Sequence, residues 1–238
     1  MPAMLRLDQL LSRFGYCSRR EAQSWAKAGR VTLDGTPLTK PEQRLDPAVV
    51  RVDGKPVEFP SGLLVAFHKP AGCTCSHNPA EGPLIYDLLP PAWMRRQPAP
   101  VTVGRLDKET SGLIILTDDG GLVHRLTSPK HDVVKSYEAT VDRDLPDGLA
   151  ACFAAGTLVL HGESRPCLPA DLEITGLRTA RLHIREGKYH QVRRMFASMG
   201  CTVTALHRTR VGTVELGALE PGAWRALARE EIQITNDQ

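Results

Sequence analysis

Leu7, Leu10, Leu11 and Phe14 recur at the i, i+3, i+4, i+7 spacing of one helical face, and Gly15 stops the run. Ser18 with Glu21 three residues on has the form of a capping box. Ala22, Trp25 and Ala26 supply the apolar side of a second helix, which Gly29 ends. The period then shortens: "RVTLDGTPL" and "VVRVDGKPVEF" are β-branched runs, each broken by the hairpin signal Asp-Gly. "EFPSG" at 58–62 reads as a linker. Beyond it come apolar β-type runs, "LLVAF", "APVTV", "GLIILT", "SYEATV", "TARLHI" and "TVTAL". Helical patterning there is plainest in "GLVHRLTSP" and "YHQVRRMFASMG". The expected architecture is α+β, with a small helix-and-hairpin module over 1–60 and a larger domain over 61–238. The larger domain is expected to hold a mixed, mainly antiparallel sheet flanked by helices.

Composition sharpens this picture in three ways. At 42% hydrophobic and 24% charged, the 238-residue chain has ordinary globular composition. It holds no apolar run of membrane-spanning length, and "MPAMLRLDQLL" lacks the apolar centre of a secretory signal. A cytoplasmic protein without membrane contact is expected, and a monomer for want of an evident extra apolar face. The six cysteines are scattered; the close pair, Cys73 and Cys75, lacks the spacing of a zinc knuckle, so free thiols and no metal are expected. Residues 1–60 carry ten Lys and Arg against seven Asp and Glu, whereas the remainder is balanced at twenty each. The whole positive excess therefore sits on the first module, whose helices display Arg13, Arg19, Arg20, Lys27 and Arg30. An anionic partner, RNA foremost, fits that asymmetry; a solvated helical face is the plainer alternative.

Three groups could carry chemistry. "GRLDKETSG" joins two apolar runs, so Asp107 is expected on a loop mounted on rigid strands. Its carboxylate either braces a turn by accepting backbone N–H groups or faces a substrate. In "REGKYHQVRRMFASMG", Val192, Met195, Phe196 and Met199 form the apolar side of a helix, Arg193 lies at its border and Arg194 nearly opposite. Arg193 can thus reach a cleft, while Arg194 faces water or phosphate. In "VVKSYEATV", strand alternation places Lys135, Tyr137, Ala139 and Val141 on one side and Ser136, Glu138 and Thr140 on the other. Tyr137 is either a core tyrosine with a wet hydroxyl or part of a site.

The first module, with its helix spacing and "RVTLDG" turn, resembles the S4 RNA-binding module. "GRLDKETSGLIILT", "KSYEATV" and "EGKYHQVRRMFASMG" resemble the signature, tyrosine and basic motifs of the bacterial rRNA pseudouridine synthases of the RsuA family. "TSPKHDVVKSY" and the tail "ALHRTRVGTVELGALEPGAWRAL" are similar too, so the resemblance covers nearly the whole chain. One departure is His68 in "FHKPAG", where the family usually has Asn. The resemblance implies isomerisation of a uridine in ribosomal RNA, free or in a pre-ribosomal particle, with no redox cofactor and no metal. It implies that Asp107 is the essential carboxylate and that Tyr137 and Arg193 share its site, the guanidinium pairing with the acid. Arg105, His190 and Arg194 become candidate RNA contacts, with Arg105 favoured to hold the unstacked nucleotide. "HGESRPCLPADLEI" and the tail look more like the small-subunit enzyme, acting on 16S rRNA, than its large-subunit (23S) relatives. The rival readings are a non-catalytic ribosome-assembly factor and a metal-dependent nuclease built on Asp107, Asp118, Asp119 and the eight histidines.

Overall fold

Capping and turn chemistry shape the first sixty residues of the chain, seen in a computed structural model that describes residues 4–128 and 131–233. Helix α1 (Leu7–Arg13) closes at Phe14, and Gly15 takes φ +76°. Before α2 (Ala22–Lys27), the Ser18 N–H donates to Glu21 Oε2 at 2.9 Å and the Glu21 N–H to Ser18 Oγ at 3.3 Å, the reciprocal bonds of a capping box. Both Asp-Gly pairs are left-handed at each residue, Asp34 and Gly35 at φ +47° and +79°, Asp53 and Gly54 at +50° and +76°. These are the tight turns whose twist matches a hairpin. They join Val31–Leu33 to Thr36–Pro37 and Val50–Val52 to Lys55–Pro56, and the two hairpins pair antiparallel through Val31–Leu33 and Val50–Val52. Leu7, Leu10 and Leu11 are fully buried against Val31, Val50 and Ala22. Each such leucine contributes about 1.5–3 kcal/mol.

One compact unit runs to Leu64 and also takes in Tyr86–Val101 and Leu116–Gly120; the other holds Val65–Ile85, Thr102–Ile115 and the chain from Gly121. Within the first unit, Gly15 lets the 92–96 backbone come close, since a Cβ there would stand 2.9 Å from the Ala92 carbonyl. The Gln97 N–H donates to the Arg13 carbonyl at 2.9 Å, and the Trp93 indole N–H to Glu58 Oε2 at 2.8 Å.

Among the described residues the large sheet has nine strands. Its main path runs Asp171–Gly176, Thr179–Ile184, Lys135–Val141, Val203–Val211, Thr110–Thr117, Leu64–Lys69, Trp224–Ala226. Val203–Val211 is antiparallel to Lys135–Val141 and parallel to Thr110–Thr117, so the sheet is mixed as expected. Helices α3 (Gly120–Thr127), α4 (Leu149–Ala154) and α5 (Gln191–Ser198) accompany it; α5 buries Val192, Met195 and Phe196. The α4 helix and the strands Asp171–Gly176 and Trp224–Ala226 were not among the expected elements. Pro129 and Lys130 of "TSPKHDVVKSY", and Met1 to Ala3, lie outside the described residues.

Candidate active site

The turn before the Thr110–Thr117 strand is built by main chain: the Thr110 N–H donates to the Asp107 carbonyl at 3.0 Å. Lys69, fully buried at the end of its own strand, fixes both sides of that turn. Its ammonium donates to the carbonyls of Lys108 (3.1 Å), Thr110 (2.8 Å) and Pro70 (3.1 Å), which uses all three of its protons. Burial pulls its pKa below the usual lysine range, opposed by Cys75, Cys73, Glu109 and Asp107. The turn is therefore braced without the Asp107 side chain. Among the described residues that carboxylate accepts no backbone N–H; it stands 3.4 Å from His190 Nε2, with 32% of the side chain exposed.

Asp107 lines a small pocket, about 90 Å³, with Tyr137, Arg105, Thr110, Lys188 and His190. Tyr137 reaches it by the expected alternation. Its neighbours Ser136 and Glu138 line a larger cavity of about 580 Å³, and another of about 410 Å³ is lined by His183, Arg185 and Arg210. The larger volume carries less chemistry: Arg181 is spent on Glu138 and Glu173, Arg185 on Asp132, and Ser136 Oγ is shared by His183 and Arg210.

The basic motif needs correction in detail. No ion pair joins Arg193 to Asp107 among the described residues; its guanidinium donates instead to the Val203 carbonyl at 2.9 Å and the Glu109 carbonyl at 3.2 Å. Its position at the edge of the apolar stripe does bring it to the signature-motif loop, but there it meets backbone. His190 occupies the place beside the carboxylate. Arg194 does not face open water either: it pairs with Glu163 at 3.0 Å and donates to the carbonyls of Tyr189 and His161.

A buried cation beside Tyr137 comes from Arg208, in the tail motif. It is 3% exposed and donates from Nε to the Leu113 carbonyl (2.8 Å) and from Nη1 to Tyr137 Oη (3.4 Å). Arginine only donates, so the tyrosine oxygen accepts and its own proton points elsewhere. Neither Arg208 Nη2 nor Thr110 Oγ1 has a partner within the described protein. Two backbone devices aim Arg208. A bulge between its pairings, Ser136 with Arg210 and Tyr137 with Arg208, turns the strand. On the other side it faces Gly112, at φ +108°, where a Cβ would stand 2.2 Å from the Arg208 carbonyl oxygen. Sequence held one signal for this: a lone glycine inside an apolar strand marks a close backbone approach.

His68, the departure from the family pattern, is buried and donates from Nδ1 to the Leu219 carbonyl at 2.7 Å. Among the five candidate RNA contacts of the first module, Arg19 pairs with Asp8 at 3.1 Å. Arg30 pairs with Asp53 and lies 3.4 Å over the Trp25 ring. Arg13, Arg20 and Lys27 are exposed, with no side-chain bond among the described residues. All six cysteines are free, and no His, Cys, Asp and Glu cluster suited to a metal occurs among the described residues. Asp118, the nuclease candidate, is committed to Arg96 at 2.9 Å and to the Leu63 N–H at 2.8 Å.

Residues 5–48 match the family described as S4 domain, and residues 63–198 the family described as RNA pseudouridylate synthase. Together they define an RNA-modifying enzyme with its own RNA-binding domain. The chain belongs to the RNA pseudouridine synthase family. It is 37% identical to "Uncharacterized RNA pseudouridine synthase YtzG" of Bacillus subtilis, over 98% of this chain and 99% of that one. It is 39% identical to "Ribosomal small subunit pseudouridine synthase A" of Escherichia coli K12, over 96% and 98%. A solved structure described as "Crystal structure of pseudouridylate synthase" superposes with a TM-score of 0.66 at 34% identity, covering 95% of this chain and 97% of that one. Among the described residues no helix is long and apolar enough to cross a membrane.

Proposed function

We propose that this chain converts one uridine of small-subunit (16S-type) ribosomal RNA to pseudouridine, with Asp107 as the catalytic carboxylate. The observation that carries the reading is an acid on a rigidly braced turn, relieved of structural duty, opening onto one pocket with a tyrosine. The similarity to the small-subunit enzymes supports the choice of RNA.

The reaction breaks the N1–C1′ bond, turns the freed uracil and joins C5 to C1′. Positive charge grows on the sugar as the first bond breaks, and an ionised carboxylate beside C1′ stabilises it or bonds to it. Tyr137 then stacks on the ring and helps remove the C5 proton, its hydroxyl oriented by Arg208. In this reading Arg193 acts through the loop, holding the Glu109 carbonyl, so it is a positioning residue. A uridine in folded RNA must leave its stack to reach the pocket, at a cost of a few kcal/mol, and Arg105 is placed to hold the nucleotide there. Arg13, Arg20 and Lys27 supply phosphate contacts from the domain spanning 1–60, while 61–238 carries the chemistry. The enzyme is proposed to act as a cytoplasmic monomer on rRNA or its assembly particle.

Chemical mapping of pseudouridine in rRNA from a strain lacking this gene tests the reading. One 16S position is expected to lose the modification and regain it with the wild-type chain. An unchanged 16S map with a missing site in 23S rRNA would move the target, and no missing site would remove the assignment.

A further inference from the structure

Tyr189 is the most exposed of the Phe, Tyr and Trp residues among those described, at 76%, yet its surroundings are not those of a loose loop residue. Its carbonyl accepts from Arg194 Nη1 at 2.9 Å, and Arg194 is itself held by Glu163. On the preceding residue, the Lys188 N–H donates to Gln191 Oε1 at 2.8 Å, and Gln191 Nε2 donates to Glu186 at 2.7 Å. On the following one, His190 is left-handed at φ +49°, a conformation that costs a non-glycine residue energy and persists where neighbours impose it. That turn lays the His190 ring against Tyr189, centroids 3.9 Å apart and planes 16° apart, while the Nε2 edge points to Asp107 at 3.4 Å. The order is carboxylate, imidazole, phenol, and then open solvent.

We infer that the free face of Tyr189 is a stacking platform for an unpaired base of the substrate RNA, the neighbour of the uridine that enters the Asp107 pocket. This rests on the reading of that pocket as a uridine site. Every base offers a π-face, so an aromatic ring held with one side open binds unstacked bases with little regard to sequence. Lys188 and Arg105, both lining the adjoining pocket, give the surface the sign that suits a phosphate backbone. When the target uridine leaves its stack, its neighbour loses a stacking partner, and Tyr189 replaces it.

The test uses the full chain carrying Asp107→Asn, which prevents turnover, and a 16S rRNA transcript titrated at fixed salt. Adding Tyr189→Ala is expected to raise Kd about 5- to 50-fold, within the range measured for loss of one base–aromatic stack. Tyr189→Phe and Tyr189→Trp should stay within about threefold, since they keep the ring. Tyr189→Trp also adds a fluorophore, whose emission should fall on RNA addition beyond the background of Trp25, Trp93 and Trp224. Binding of the Ala variant within twofold of its parent, a Phe variant as weak as the Ala variant, or unaltered emission of the Trp variant would each overturn the inference. Pseudouridine mapping of the same transcript with wild-type protein reads the activity separately. Product without a Tyr189 effect removes only the platform, and tight Tyr189-dependent binding without product removes only the activity.

Discussion

At one end of the Thr110–Thr117 strand, Asp118 is almost sealed from water, its side chain 7% exposed and that of Arg96 3%. Arg96 donates to it twice, at 2.9 and 3.1 Å, and the Leu63 N–H adds a third bond at 2.8 Å. At the other end, Asp107 is a third exposed and has a single imidazole at 3.4 Å. The two acids flank one strand and are eleven residues apart in sequence. Asp118 has its lone pairs filled by the fold, which is how a buried carboxylate offsets its desolvation. The turn at Asp107 is instead held by Lys69 and by main chain, so its carboxylate keeps unfilled lone pairs on a mount that does not need them. A carboxylate that stabilises charge in a reaction must be free in this sense and fixed in position, and the difference in wiring supplies both.

The contrast can be broken most severely at Gly112, which lets the Arg208 backbone approach the strand between the two acids. Gly112→Ala adds a Cβ at overlap distance on a left-handed φ, so a loss of about 2–6 kcal/mol is expected in urea unfolding, with activity lost even in the folded fraction. A Gly112→Ala protein of wild-type stability would contradict the close approach. Next is Arg208→Met, which roughly keeps volume but leaves the buried Leu113 carbonyl without its donor, at a stability cost of about 1–3 kcal/mol. Losing one charge-assisted bond to Tyr137, worth about 1.5–3 kcal/mol, should lower single-turnover rate roughly 10- to 100-fold. If the rate holds and only the melting temperature moves, Arg208 serves packing alone. The smallest effect belongs to the first module. Replacing Arg13, Arg20 and Lys27 together by Gln should flatten the slope of log K against log salt by about 2–3 units, with the saturated rate unchanged. Substituting Arg19 and Arg30 instead should disturb stability, because their guanidiniums already hold Asp8 and Asp53.

What the chain reveals in one dimension follows from how local each cause is. The Ser18–Glu21 box, the two Asp-Gly turns and the alternation around Tyr137 are set by residues within a few positions, and each was legible. The wiring of the site was not. Lys69 reads as one charge after an apolar run, and nothing near it tells that the carbonyls of Lys108 and Thr110 converge on its ammonium. Arg208 acquires its role from a parallel pairing with Gly112, 96 positions away, and from a bulge that only the sheet defines. For Arg193, helical phase put the side chain at the edge of the apolar stripe, but the pairing expected with Asp107 is replaced by the Val203 and Glu109 carbonyls. The 86–101 stretch, rich in proline and without period, gave no sign that it packs with the first module through Trp93 and Arg96.

The same substitution at both acids tests the difference in their wiring most directly. Asp107→Asn should abolish pseudouridine formation, at least about 10³-fold, while leaving the unfolding free energy within about 0.5 kcal/mol. Asp118→Asn strands Arg96 in the interior, so stability should fall by about 3–5 kcal/mol while the rate per folded molecule persists. The reverse pattern, or an Asp107→Asn protein that still forms pseudouridine, would contradict the assignment of Asp107 as the acid left free for chemistry.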